Sequence, residues 1–307
     1  MARFRAAGAA SWIPGDMSLH HPAPRPTLIT GSSSGIGRAI ARHLAAEGWP
    51  TYASARDLDS IADLAEHGCE LIALDVTDDA SRRRAVARIE ADHGSVGAIV
   101  NNAGYGQQGP LEETPLDAIR EQFETNVFGP IALAQLVLPG MRRAGRGRII
   151  NLSSMGGRLS FPGGAAYHGS KYALEAMSDV LRFEVAGFGV QVVLIEPGPT
   201  ASDFGHASLR SLERLVPAAD GAYDALRQGI RRALEGTFTS PDAGVATSED
   251  VALAVWSALV DADPDPRIIV GEIAHQLIEQ REKGSDRDWD ELVAGMYPRP
   301  ERPTEQD

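Results

Sequence analysis

Short apolar runs alternate along the chain with longer amphipathic stretches. Thr27–Thr30 reads as a strand and Ile36–Ala46 as a helix stopped at Gly48. Thr51–Ala55 is predicted as a strand, Leu58–His67 as a helix, Glu70–Leu74 as a strand, and Asp78–His93 as a helix carrying Arg82, Arg83 and Arg84. Ala98–Val100 follows as a strand, and Pro115 opens a long helix to about Arg143. Arg148–Leu152 then reads as a strand, Tyr167–Val185 as a helix and Gln191–Ile195 as a strand. The strands are apolar at successive positions rather than at every second one, which is the mark of burial on both faces. Alternation of such strands with helices predicts an α/β fold: a single doubly wound parallel sheet with helices on both faces.

The rhythm changes over Thr200–Thr247, which is polar and helical in two pieces, Ala207–Leu215 and Gly221–Leu234, with breaks at Pro217 and Pro241. Ser248-Glu249-Asp250 is expected to cap a helix through Val260, and Arg267–Val270 is expected as the last strand. No composition break or repeat calls for a second domain. The expected organisation is a disordered leader over 1–25, one domain over 26–297 with a lid at about 199–247, and a frayed tail over 298–307. The leader carries Arg3 and Arg5 but lacks the long apolar stretch of a secretory signal.

The composition, 43% hydrophobic and 23% charged, is that of a globular protein. With 29 Lys+Arg against 42 Asp+Glu, the net charge of −13 repels phosphate backbones and argues against nucleic-acid partners. It leaves room for one phosphate in a local basic pocket. Cys69 is the single cysteine, so there is neither an internal disulfide nor a cysteine cluster for zinc; no metal is expected, and a cytoplasmic location is the simplest. The uncharged run Val127–Met141 is interrupted by Pro130 and Pro139 and is shorter than the ~20 residues a membrane span needs.

Between the first strand and first helix lies Thr30-Gly31-Ser32-Ser33-Ser34-Gly35-Ile36-Gly37. Glycines there permit a sharp turn and a close approach of backbone N–H groups to a pyrophosphate, and the helix start adds free donors and a positive dipole end. No Gly-Lys-Ser/Thr follows, which disfavours a nucleotide-hydrolysing loop. Arg38 lies in the first helical turn, where a cation opposes the dipole unless an anion is bound. Arg56 ends the second strand, where an acid for a ribose 2′-hydroxyl is common. A 2′-phosphate would suit Arg56 and Arg38, whereas Asp57, next in sequence, retains the option of a hydroxyl.

Tyr167 and Lys171, one turn apart, project from one helix face. A neighbouring ammonium is expected to pull the phenol below its ordinary ~10, so that it exchanges protons with an alcohol or carbonyl near neutrality. Ser154, just past a strand end, is placed to hold the substrate oxygen; Ser153 competes for that role. Asn126 falls in the long helix near Gly129 and Pro130, which should disturb its hydrogen bonding. Asn101-Asn102-Ala103-Gly104 reads as a tight turn after a buried strand.

In this order and spacing, the glycine-rich loop at 30–37, Leu74-Asp75-Val76, Asn101–Gly104, Asn126, Ser153-Ser154, the Tyr167–Lys171 pair and Pro197-Gly198 resemble the short-chain dehydrogenase/reductase family over about 26–270. The resemblance implies a Rossmann fold. It implies Tyr167 as acid/base, Lys171 as the group binding the nicotinamide ribose and lowering the Tyr167 pKa, Ser154 as the residue orienting the carbonyl, and Asn126 as the holder of a relay water. It also implies cofactor contacts from Gly31, Ser33, Ser34, Gly35, Ile36, Gly37 and Arg38, and from Asp75, Val76, Asn102, Ala103, Gly104, Pro197, Gly198 and Thr200. Arg56 in the family's basic position implies NADP(H) in preference to NAD(H). The implied activity is interconversion of a small-molecule carbonyl and alcohol, with the protein a homodimer or homotetramer through the long helices at 115–143 and 167–185.

Phe204, His206, Leu209, Leu212, Leu215 and Val216 are candidates for an apolar lid, although packing of the helix onto the sheet accounts for the leucines equally. Tyr105, Phe161 and Pro162 are candidates for the same cleft, and His168 and His206 read as ordinary histidines. The lid and the turn at 195–199 resemble the hydroxysteroid and retinol dehydrogenase branch, which implies a hydrophobic substrate. The alternatives are a catalytically silent NADP(H)-binding regulator and an isomerase or lyase on the same sheet.

Overall fold

The computed structural model describes residues 23–219, 221–239 and 245–300. Its strands are β1 (Thr27–Ile29), β2 (Thr51–Ala55), β3 (Glu70–Ala73), β4 (Ala98–Asn101), β5 (Gly147–Leu152), β6 (Val190–Pro197) and β9 (Arg267–Val270). Among the described residues they form one seven-stranded parallel sheet in the order β3-β2-β1-β4-β5-β6-β9. The helices between them are α1 (Gly35–Ala46), α2 (Asp79–His93), α3 (Leu116–Phe123), α4 (Gly129–Ala144), α5 (Ala165–Val185) and α8 (Ser248–Val260).

Neighbouring apolar residues on each strand serve opposite faces. Ile29, Val100, Ile150 and Val193 join Ile40, Leu44, Val255 and Leu259 of α1 and α8 in one core. Leu28, Ile99, Ile149 and Val192 join Val86, Ile89, Leu133 and Met141 of α2 and α4 in the other. A strand buried on both sides can carry apolar residues at consecutive positions, and this is why strict alternation is absent from the sequence. β1 pairs with both β2 and β4. The strand order therefore reverses at β1, and a crevice opens beyond the carboxyl ends of β1 and β4.

The expected doubly wound α/β fold is present, with local corrections. Leu58–His67 is wound as a 3₁₀ segment. The long helix predicted from Pro115 to Arg143 is divided by a π turn at Glu124–Phe128, at the point where Gly129 and Pro130 weaken regular bonding. The cap of α8 is Thr247 rather than Ser248: Thr247 accepts from the Asp250 N–H while Asp250 accepts from the Thr247 N–H. Two helices to which the hydrophobic pattern assigned nothing, α9 (Glu272–Lys283) and α10 (Asp286–Met296), close the domain. They seat Ile278 and Trp289 against Leu159.

The lid region contains α6 (Phe204–Glu213) and α7 (Asp224–Thr239), both longer than expected. A parallel pair of short strands, β7 (Thr200–Ala201) and β8 (Ala246–Thr247), ties its two ends together. The predicted leader and tail, apart from 23–25 and 298–300, lie outside the described residues, as does the expected break at Pro241.

Candidate active site

A cleft of about 1720 Å³ runs from the β1–α1 loop to the lid. That exceeds the volume of a pocket for one drug-sized ligand, so it suits two ligands side by side. At its deep end, Ser34 is the N-cap of α1 but makes no side-chain cap bond, and the first turn holds no acid. The first N–H donors of α1 are therefore open to an anion. Gly31 has φ +72°, and a Cβ there would stand 2.9 Å from the Ala103 Cα. A Cβ on Gly37 would meet the Gly31 carbonyl oxygen at 2.2 Å. Asn102 Nδ2 donates to the carbonyls of Thr30 (2.9 Å) and Gly31 (3.0 Å), and the Ala103 N–H donates to Thr30 Oγ1 (2.9 Å). The two turns at the crest of the sheet are thus bolted together. A dinucleotide fits this cradle: the loop approaches closely only because two positions lack side chains.

The two arginines differ. Arg56 is exposed on the cleft wall near Asp75. Burial pushes the Asp75 carboxyl up, but hydrogen bonds from Thr77 and the charges of Arg56 and Arg82 outweigh it and hold it below the usual range. Arg38 does not line the cleft. Its guanidinium donates to Asp63 and to the carbonyls of Ser33 (3.1 Å) and Ser60 (3.2 Å). The cation that seemed to await an anion already has one from the 3₁₀ segment. Asp57, the alternative hydroxyl partner, caps that segment by accepting from the Asp59 N–H.

Nearer the lid, Ser154, Tyr167 and Lys171 come together on the wall. Ser154 is the N-cap of a short 3₁₀ turn, its Oγ accepting from the Gly156 N–H at 3.0 Å. Lys171, 7% exposed, donates from Nζ to the Leu152 carbonyl at 2.6 Å and stands 5.8 Å from the centre of the Tyr167 ring. The expectation for the phenol is overturned. Burial pushes Tyr167 up to about 12, with the Ser154 hydroxyl pulling the other way. Burial lowers Lys171 to about 8, against the raising charge of Glu175. Desolvation acts on both groups and outweighs the attraction that helical spacing alone suggests.

Asn126 lies behind this wall rather than on it, 1% exposed in the π turn. Its Nδ2 donates to the Tyr105 carbonyl (3.1 Å) and Ser170 Oγ (3.2 Å), and its Oδ1 accepts from the Tyr105 N–H (3.3 Å). Every predicted cofactor contact lines the cleft except Arg38. Ser153 also reaches the wall, yet its Oγ is buried near Gly157 and Glu175 with no hydrogen-bond partner among the described residues.

Of the lid candidates, Phe204 and Leu215 line the cleft, the Phe204 ring 5.3 Å from that of Tyr167. Leu212 packs inward, while Val216 and His206 face solvent. Tyr105, Phe161 and Pro162 line the cleft as expected. So does His168, lowered by burial, with Nδ1 3.0 Å from the Gly156 carbonyl. Met296, Tyr297, Ile273 and Leu277 were missed. The signal for Met296 and Tyr297 was the Ser285–Asp288 capping box followed by Trp289, Leu292, Val293 and Met296 at helical spacing. Among the described residues no cluster of His, Cys, Asp or Glu is arranged to hold a metal ion.

A parallel sheet with a glycine cradle at its switch point and a Ser–Tyr–Lys wall beside it defines a dinucleotide-dependent class of protein. The family model for short chain dehydrogenases matches residues 25–212, and the chain belongs to the short-chain dehydrogenase/reductase family of enzymes, with relatives that are named oxidoreductases. It is 38% identical over 215 residues to the probable short-chain type dehydrogenase/reductase VdlC of Helicobacter pylori, covering 68% of this chain and 79% of that protein. A short-chain dehydrogenase structure from Streptomyces avermitilis superposes with a TM-score of 0.75 at 33% identity, covering 89% of this chain and 99% of that one. Two further structures share the fold. One, from Burkholderia cenocepacia in complex with NADP, has a TM-score of 0.68 at 21% identity and covers 88% of this chain and 96% of its own. The other, from Burkholderia phymatum in complex with NAD, has a TM-score of 0.73 at 23% identity and covers 92% of this chain and 98% of its own.

Proposed function

We propose that the protein interconverts a carbonyl and an alcohol on a hydrophobic small molecule, using NADP(H) in preference to NAD(H). The observation that carries this reading is the Tyr167 phenol on the cleft wall, with Ser154 and Lys171 beside it. The nicotinamide, when bound, supplies or accepts the hydride. Residues 31–37 receive its pyrophosphate on open N–H donors, and Asp75, Val76, Asn102, Ala103 and Gly104 form the adenosine side of the groove. Pro197, Gly198 and Thr200 stand on the nicotinamide side. Arg56 gives the preference for a 2′-phosphate, since the strand tip offers a cation and no acid.

In the reductive direction Ser154 holds the carbonyl oxygen and Tyr167 donates its proton to it. Lys171, charged below about pH 8, favours the phenolate that results. Asn126 acts from behind, fixing the Tyr105 segment against α5 through Ser170. Phe204, Phe161, Pro162 and Leu215 make the substrate end apolar.

A cytoplasmic location is part of this reading, as is assembly into a homodimer or homotetramer. Support for assembly comes from exposed apolar side chains on the helices involved: Leu116 on α3, Phe128 at the π turn, and Val180 and Phe183 on α5, the last 88% exposed. Among the described residues no helix is long and apolar enough to cross a membrane. A silent regulator or an isomerase has no observation in its favour, because Asn126, Ser154, Tyr167 and Lys171 are all retained. The test is a panel of ketones and alcohols followed at the absorbance of reduced nicotinamide with each cofactor. Absence of turnover across the panel with both would overturn the reading.

A further inference from the structure

The cleft face of α6 carries an unusual sequence of groups. Phe204, Ala207, Arg210, Ser211, Arg214 and Leu215 all line the cleft. The helix begins against the chemistry, with Phe204 on the Tyr167 ring. It then runs outward along the segment after Tyr105: Gly106 meets Phe204 and Ser208, Ser211 Oγ donates to the Gly106 carbonyl, and Gly109 meets Leu215. At 1.5 Å per residue, Arg210 and Arg214 sit roughly 9 and 15 Å further out than Phe204.

The other arginines of the lid that have acid partners are occupied. Arg227 is 2.7 Å from Glu113, and Arg231 is 2.8 Å from Glu213. Among the described residues neither Arg210 nor Arg214 has a carboxylate within the 4.0 Å of an ion pair. The acids on the cleft wall, Asp75, Glu121, Glu124 and Asp203, pair with neither. Two free guanidinium groups one helical turn apart thus face the outer cleft of a protein whose net charge is −13. Ala207 on α6 and Ile230, Ala233 and Leu234 of α7 give the lid side of the cleft an apolar stretch, while Gln107 and Gln108 line it from the segment after Tyr105.

We propose that Arg210 and Arg214 form a binding site for an anionic head group, and that the substrate is an amphipathic carbonyl compound with a carboxylate or phosphate about 9–15 Å from the reacting carbon. This rests on the hydride-transfer reading for the reacting end. The chemistry shared by the two head groups is an anionic oxygen cluster that takes forked hydrogen bonds from a guanidinium.

The test measures binding rather than turnover. Titration calorimetry on the full chain would compare decanoate, decyl phosphate and methyl decanoate, which share an alkyl body and differ in charge. Both anions should bind about tenfold or more tighter than the ester. Arg210→Gln with Arg214→Gln should erase that margin. Arg232→Gln, which removes a cation from α7 that does not line the cleft, should leave it intact. Equal affinity of acid and ester in the parent protein would overturn the proposal. So would a margin that survives the double substitution, or one lost equally with Arg232→Gln, since a general field would then explain it. Turnover of an (ω−1)-oxodecanoate is a separate arm. If it binds with the expected margin while neither it nor the panel of ketones and alcohols is turned over with either cofactor, the hydride-transfer reading falls and the anion site stands.

Discussion

Under the proposed function the choice of cofactor turns on Arg56, and the structure gives unequal expectations for two arginines that look alike in sequence. Arg56 is exposed at the cleft wall and makes no ion pair with an acid among the described residues. A 2′-phosphate there would gain charge-assisted hydrogen bonds. Solvent exposure reduces their value to about 1–2 kcal/mol, below the range for enclosed pairs. Arg56→Ala should therefore weaken NADPH about five- to thirty-fold and leave NADH within about twofold. Arg38 is committed to Asp63, Ser33 and Ser60, so its guanidinium must break that set before it reaches a ligand. Arg38→Ala frees the Ser33 carbonyl in the cofactor loop, so it should loosen NADPH and NADH alike. Fluorescence titration of both reduced cofactors against the two single variants reads the ratio directly. An unchanged NADPH/NADH ratio in Arg56→Ala would refute the assignment. A selective loss of NADPH in Arg38→Ala would show instead that the Asp63 pair opens to the phosphate.

Three other expectations follow from the same geometry. Tyr167→Phe should lower turnover at least about 100-fold, the low end for loss of a general acid, while NADPH affinity changes little; an active variant would remove Tyr167 from the proton-transfer role. Lys171 is lowered from 10.5 to about 8, so the unfolded chain binds more protons between those values and stability should rise with pH across that window. Lys171→Met should abolish that rise and gain about 1–3 kcal/mol at pH 7 by chemical denaturation; an unchanged pH slope would refute the assignment. Light scattering should give the mass of a dimer or tetramer, and Phe183→Glu should shift it toward the monomer; a monomeric parent protein would remove the assembly expectation.

Much of the fold was legible because each strand advertises its burial. Leu28 and Ile29 are neighbours in sequence, both fully buried, and serve opposite cores. The cofactor loop was legible because Gly31 and Gly37 fill positions that no side chain can occupy. The C-terminal helices were not, because their outward faces are so heavily charged that the few apolar positions, Ile278 and Trp289 among them, form no obvious stripe. Arg38 misled for a different reason. Its helix position was read correctly, but its partner Asp63 lies 25 residues further on, in a segment whose winding the pattern did not reveal. Local spacing places a side chain on a face; it does not say which distant carboxylate the fold brings to meet it.

The phenol shows the same limit with more consequence. Helical spacing puts an ammonium near Tyr167, and that alone argues for a more acidic phenol. The fold adds Phe204 from the lid and the buried floor under Lys171, and these desolvate both groups. Desolvation favours the neutral forms, so the two shift in opposite directions, to about 12 and about 8. Under the proposed roles the two shifts serve one step. The neutral phenol that burial favours is the form that donates to the substrate oxygen, and a charged Lys171 beside the ring favours the phenolate left behind. Burial of the pair, which counts against the stability of the fold, thereby favours the form of Tyr167 that the reductive step uses.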